Sequence, residues 1–206
     1  MNEAMTICYV VEGSLYVNVT NRCTNSCDFC IRNNGDTAYG SDTLWLKREP
    51  DADEIFDAIV AYEPTKYREL VFCGYGEPTM RLYDIIEVAK KVKKAYPVLK
   101  IRLNTNGHSD LIFGIDTAPL YKGAFDSVSI SLNTPSAEKY VEICHPVYKE
   151  KTFAAILNFA KNVKNYVQYV QFSLVDDFLT EEEIEECRHI SESVGVNLRI
   201  REYIKD

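Results

Sequence analysis

The chain has 206 residues, 46% hydrophobic and 26% charged, proportions of an ordinary globular protein long enough to bury a sizeable core. Lysine and arginine number 23 against 31 acidic residues, and the resulting net charge of −8 repels polyanions, which argues against unspecific nucleic-acid binding. No run approaches the roughly 18 apolar residues that span a bilayer.

The opening MNEAMTICYVVEG carries an early acid and no basic leader region, so the expectation is a cytoplasmic protein with no signal peptide and no membrane partner. Residues 6–11 and 14–20 are β-rich runs separated by Glu12-Gly13, which predicts a hairpin. Cys23, Cys27 and Cys30 follow within eight residues. The stretch 31–53 is long and polar, with an apolar trio at Leu44, Trp45 and Leu46 beside Arg32, Lys47 and Arg48. A loop of that length is either a lid over a site or is pinned to the body by its apolar residues.

A helical period begins with Ile55, Phe56, Ile59 and Val60. The apolar run ELVFC, ending in Gly74-Tyr75-Gly76-Glu77-Pro78, predicts a strand; Leu82, Ile85, Ile86, Ala89 and Val92 then share one helix face. Residues 100–104 predict a strand that ends at Asn104-Thr105-Asn106-Gly107, and residues 127–133 another that ends at Ser131-Leu132-Asn133. Thr134 and Pro135 are the expected cap and first turn of the helix SAEKYVEIC. A helix over 153–164 and a strand over 166–175 follow. Thr180 and Glu183 predict a capping box, and residues 196–204 a final strand.

Strands alternate with helices about six times, which predicts one α/β domain over residues 1–206 with a parallel sheet covered by helices. Six units are fewer than the eight of a closed barrel. A partial (β/α)6 TIM-like barrel or an open wound sheet is therefore expected, preceded by the N-terminal hairpin. In either, ligands bind at the C-terminal ends of the strands, where the cysteines, the Gly74–Pro78 turn and the two asparagine-rich turns collect.

Seven cysteines are an odd number for a disulfide framework, and clustered thiols in a reducing compartment are metal ligands or catalytic groups. Structural zinc wants four ligands. The loop supplies three; Asp28 is poorly placed beside Cys27, and His108, His145 and His189 are isolated. An iron–sulfur cube with three thiolates keeps one iron open for something else to bind. A non-catalytic, zinc-stabilised interaction module partnering a nuclease is the alternative. Cys8, Cys144 and Cys187 are expected in the core, and Cys73 beside the rim. His108 is the histidine best placed to meet substrate, although a solvated loop position is the plainer expectation.

Four segments in this order, CTNSCDFC with Phe29 before the last cysteine, GYGEP, TNG and SLN, resemble the radical S-adenosylmethionine (radical SAM) superfamily. NRCTN, VFCGYGEPT, RLNTNG and SISLN together resemble its small group associated with TatD-type nucleases. The resemblance implies that Cys23, Cys27 and Cys30 hold three irons of a [4Fe–4S] cluster whose fourth iron binds S-adenosylmethionine. It implies that an external electron donor such as flavodoxin or ferredoxin drives cleavage of the sulfonium to methionine and a 5′-deoxyadenosyl radical. That radical takes hydrogen from a small-molecule, nucleotide or peptide substrate. Gly74, Tyr75, Gly76, Glu77 and Pro78 would line the methionine amino group, although Tyr75 stands where the family often has glycine. Asn104, Thr105 and Asn106 would meet the carboxylate or ribose, Ser131 and Asn133 the ribose, and Phe29 with the backbone of Leu174 and Val175 the adenine. Arg201 on the last strand could pair with a carboxylate.

Overall fold

The computed structural model describes residues 5–202; the start of the N-terminal segment in which no signal peptide is expected, residues 1–4, and the end of the last expected strand, residues 203–204, lie outside the described residues. Cys8–Val11 (β1) and Ser14–Val17 (β2) pair antiparallel. Glu12 and Gly13 between them have φ of 47° and 77°, the doubly positive turn whose twist matches that of the strands it joins.

Glu69–Phe72 (β3), Lys100–Thr105 (β4), Ser127–Ser131 (β5), Tyr169–Val175 (β6) and Asn197–Arg201 (β7) are added in chain order, each parallel to the strand before. The helices between them are Ala52–Ala61 (α1), Leu82–Ala95 (α2), Ser109–Phe113 (α3), Ala137–Cys144 (α4), Lys151–Val163 (α5) and Glu181–Val194 (α6). Strands that follow one another in sequence and in space, joined by crossovers of one hand, place the helices on one face of the sheet. On that face Leu15, Val17, Leu70, Phe72, Ile101, Leu103, Val128, Ile130, Phe172 and Leu174 pack with Ile55, Ile59, Ile85, Val92, Ile156 and Phe159 in one core.

The intervening strand positions are mostly polar, among them Tyr16, Glu69, Arg102, Asn104, Ser129, Gln171 and Arg199, with Val71 and Val175 apolar. Alternation points them to the opposite face, which is therefore polar. That face is the inside of a curled sheet. Four strand steps span about 19 Å in a flat sheet, yet the groups acting most strongly on Arg201 of β7 include Cys73 beyond β3 and Tyr16 on β2. β1 and β7 do not pair with each other, so the curl stays open, a partial barrel of six parallel strands behind a hairpin.

One local reading is corrected, one short helix is added, and the long stretch after the cysteines is found docked. α3 is only five residues, stopped by Gly114 at φ 67°, too short to show a period. The cap of α4 is Ser136, whose Oγ accepts from Lys139 N–H at 3.3 Å; the Thr134 hydroxyl instead donates to the Ser136 carbonyl. Residues 34–51 are docked on the body, as one of the two readings of this stretch has it, through Leu44 and Leu46. Leu44 and Leu46 are buried while Trp45 between them points outward, 38% exposed. Asn18 Nδ2 donates to the Leu44 carbonyl at 2.7 Å, and Asn21 brackets Leu46, donating to its carbonyl at 2.7 Å and accepting from its N–H at 3.0 Å. The expected capping box of α6 is present, Thr180 and Glu183 each bonding the other's backbone N–H.

Candidate cofactor site

All six parallel strands end on one rim, and the cysteine loop leaves β2 there. The loop is tied down at its back by the end of α4. Ser26 N–H donates to the Cys144 carbonyl and Asp28 N–H to the Ile143 carbonyl, both at 3.0 Å, so the loop satisfies acceptors that a helix C-terminus leaves open. Asp28 Oδ1 also meets His145 Nε2 at 2.8 Å in an exposed pair.

Beneath the loop lies a buried polar network. Asn106 Oδ1 accepts from His108 N–H, which fixes the amide, and its Nδ2 donates to Thr24 Oγ1 at 2.9 Å. The Thr24 hydroxyl then has its proton for His108 Nδ1, 2.7 Å away, and the ring carries its own on Nε2, facing Tyr140 Oη at 3.2 Å. Asn25 Nδ2 donates to the same Oη at 2.9 Å. Burial lowers the pKa of His108 to about 3, so the ring is neutral. This histidine neither meets substrate nor stands in solvent, contrary to both expectations; it is a fully buried strut under Thr24.

Glu77 is a second hub. Its buried carboxylate accepts from Thr79 N–H and Oγ1, Thr105 Oγ1 and Asn106 N–H, at 2.7 to 3.0 Å. Burial raises its pKa and these donors oppose the rise. The side chains of Glu77, Thr105 and Asn106 are thus bonded inside the protein, and they lock the rim turns after β3 and β4 together. Gly74 and Gly76 serve close approach: a Cβ at Gly74 would lie 2.1 Å from Asn18 Oδ1, and one at Gly76 would lie 2.3 Å from the Thr20 carbonyl. Pro78 opens the short turn Pro78–Arg81 that leads into α2. Tyr75 turns away from the rim. Its ring packs with Tyr9, Val11, Ala38 and Leu44, its hydroxyl donates to the Gly35 carbonyl at 2.9 Å, and Trp45 meets it edge-on at 5.2 Å.

Of the remaining expected residues, Asn104 faces the lumen and accepts from Arg102 Nη1 at 3.0 Å. Ser131 ends β5, half-buried. Asn133 sits in the left-handed region at φ 61°, with its Oδ1 buried and unpartnered. Phe29 stacks on Phe178 at 5.1 Å beside the end of β6, a neighbour with no motif to announce it. Val175 follows the lumen side of β6, while the Leu174 side chain belongs to the core on the other face, leaving only its backbone to the rim.

The seven cysteines are free thiols. Among the described residues no three His, Cys, Asp or Glu side chains are gathered into a metal site. Cys27 is turned toward Cys144, which with burial raises its pKa, and burial pushes Cys23 up to about 12. Metal binding at these thiols would displace their protons. The surroundings suit a sulfur-rich group all the same. Cys23 Sγ lies 3.4 Å from Asn25 N–H and 3.9 Å from Asn106 Nδ2, and Cys30 Sγ accepts from Arg32 Nε at 3.3 Å. Asn25 Oδ1 and Asn133 Oδ1 are buried acceptors without donors, ready for the hydroxyl or amino groups of a bound molecule. Cys8, Cys144 and Cys187 are core residues as expected.

A sequence model described as the Radical SAM superfamily matches residues 17–189. The chain is 27% identical over 190 residues to molybdenum cofactor biosynthesis protein 1 of Drosophila melanogaster, covering 92% of this chain and 31% of that protein. It is 33% identical over 142 residues to GTP 3′,8-cyclase of Corynebacterium glutamicum, covering 65% of this chain and 34% of the relative. It thus spans about a third of the length of these curated relatives. Among solved structures it resembles SuiB of Streptococcus suis bound to precursor peptide SuiA, with TM-score 0.67 and 16% identity over 92% of this chain and 39% of that one. At that identity the likeness is one of fold.

Proposed function

This chain belongs to the radical SAM superfamily, a superfamily of enzymes, and from that premise we propose that it initiates radical chemistry with a [4Fe–4S] cluster held by Cys23, Cys27 and Cys30. When bound, the cluster would supply one electron for cleavage of S-adenosylmethionine to methionine and a 5′-deoxyadenosyl radical, which would take hydrogen from the substrate. The observation that carries the reading is the gathering of that loop with the rim turns of β3, β4 and β5 around buried, unpartnered acceptors.

The chain's own residues bind and orient. The backbone carbonyls of Gly74–Gly76 serve the methionine amino group, since the Glu77 side chain is engaged elsewhere. Ser131 and the Asn133 carboxamide serve the ribose, and Phe29 with Phe178 flanks the adenine beside the backbone of Leu174 and Val175. Thr24, His108 and Tyr140 hold the cysteine loop at its height above the sheet. The names of the curated relatives favour a nucleotide substrate, with a small molecule or a peptide as the other classes. A flavodoxin or ferredoxin as reductant, a reducing cytoplasm and a functional link to a TatD-type nuclease complete the reading. Among the described residues no helix is long and apolar enough to cross a membrane.

The test is anaerobic reconstitution. About four irons and four sulfides per chain are expected, with loss of the cluster in Cys23→Ala, Cys27→Ala or Cys30→Ala and its retention in Cys187→Ala. With a strong reductant and S-adenosylmethionine, slow release of 5′-deoxyadenosine is expected. Stoichiometric zinc with no 5′-deoxyadenosine would restore the interaction-module alternative.

A further inference from the structure

β7 carries two arginines on the lumen face, the exposed Arg199 and the half-buried Arg201, because Leu198 and Ile200, which alternate with them, pack against the core on the other side. Neither has a carboxylate partner among the described residues, although the protein bears an excess of eight acidic groups. Arg201 Nε is buried with no hydrogen-bond partner. The groups that act on it most strongly are the Cys73 thiol, Tyr39, Arg199 and Tyr16, none of them a carboxylate. The third lumen arginine shows what a satisfied one looks like: Arg102 grips Glu69 through Nη2 at 2.8 Å and Nε at 3.2 Å, and gives Nη1 to Asn104.

A half-buried guanidinium whose Nε lies buried without an acceptor or a counter-charge costs stability, and a ligand anion would complete it. Its five donors in a plane fit the oxygens of a phosphate or carboxylate. At the end of the barrel away from the rim, Arg199 lines with Tyr16, Arg102 and Gln171 a cavity of about 560 Å³ that Arg68 and Lys100, and also Glu12 and Glu69, border. Because the barrel is open at β7, a ligand can lie along this strand with one end at the cysteine rim.

Resting on the reading of the rim above, we infer that Arg201, supported by Arg199, binds an anionic group of the substrate, a phosphate or carboxylate, inside the open barrel. This anchors the substrate at its charged end and leaves its reacting carbon to face the rim.

The test uses the reconstituted protein with S-adenosylmethionine, titrated with inorganic pyrophosphate and, separately, succinate, against sodium chloride at matched ionic strength. Thermal stabilisation that saturates is expected with at least one anion, and the better anion names the substrate's group. Arg201→Gln should weaken that response at least tenfold, Arg199→Gln less, and Arg201→Lys should keep part of it. Because the native arginine is unpaired, Arg201→Gln should melt no lower than the parent without anion; an arginine with a merely structural role would give a lower melting temperature. Affinity for S-adenosylmethionine, measured separately, should hold within about twofold. No saturable response in the parent, an undiminished response in Arg201→Gln, or a loss confined to S-adenosylmethionine affinity would each overturn the inference. Absence of a cluster or of 5′-deoxyadenosine in the parent would instead count against the radical chemistry, and the anion titration of the iron-free protein remains interpretable.

Discussion

His108 shows how a single side chain can be legible as polar and still be misplaced. It follows a turn, where histidines usually meet water, but the chain folds back so that Thr24 and Tyr140 close on both ring nitrogens. Its folded pKa, about 3, lies below the unfolded value near 6.5, so the native state refuses a proton that the unfolded chain takes up. Stability from this group is therefore fully present above pH 6.5 and is lost as pH falls toward 3. Between pH 7 and pH 5 the loss is about 2 kcal/mol. Urea titrations of the iron-free protein and of His108→Gln at both pH values should show the difference between them shrinking by that amount; parallel profiles would mean the ring is not buried neutral. Glu77 is the matching case among acids. Glu77→Ala leaves four donors without an acceptor and should cost about 3 kcal/mol or more, read as a shifted urea midpoint.

Among elements, the long stretch after the cysteines is docked on the body. Tyr75 and the asparagines of β2's exit hold it, so trypsin cleavage after Lys47 or Arg48 should proceed at the same slow rate with or without S-adenosylmethionine. Tyr75→Ala removes the ring beneath Trp45 and Leu44 and should speed that cleavage about tenfold, the equivalent of about 1.4 kcal/mol of local docking. Slowing of the parent's cleavage by ligand would restore the lid. α6 depends on its own first turn: Thr180→Ala breaks the capping box and should lower stability by about 1 kcal/mol.

In the molecule as a whole, the core and the cofactor site are separate bodies of interactions. The core lies between sheet and helices, while the cysteine loop rests on the rim through backbone bonds and the Thr24–His108–Tyr140 network. Removing iron should therefore leave a folded scaffold, unlike a small zinc domain that unfolds without its metal. The triple replacement of Cys23, Cys27 and Cys30 by Ala should keep the circular dichroism and a cooperative melt, within about 2 kcal/mol of the iron-free parent, while binding no iron. Collapse of the melt would show that the loop carries the fold.

The order of strands and helices, the hairpin, the α6 cap and the rim motifs could be read from residues alone because each is written locally, in periodicity, turn residues or tight cysteine spacing. Contacts that span great lengths of chain were not legible. Thr24 and His108 stand 84 positions apart, Phe29 finds Phe178 across the barrel, and Glu77 accepts from two different turns. The open edge is of the same kind. That β7 carries alternating arginines is visible in NLRIR, but whether each meets an acid depends on how far the sheet curls. The curl follows from strand twist and helix packing summed over the whole sheet, a quantity no short window of sequence contains.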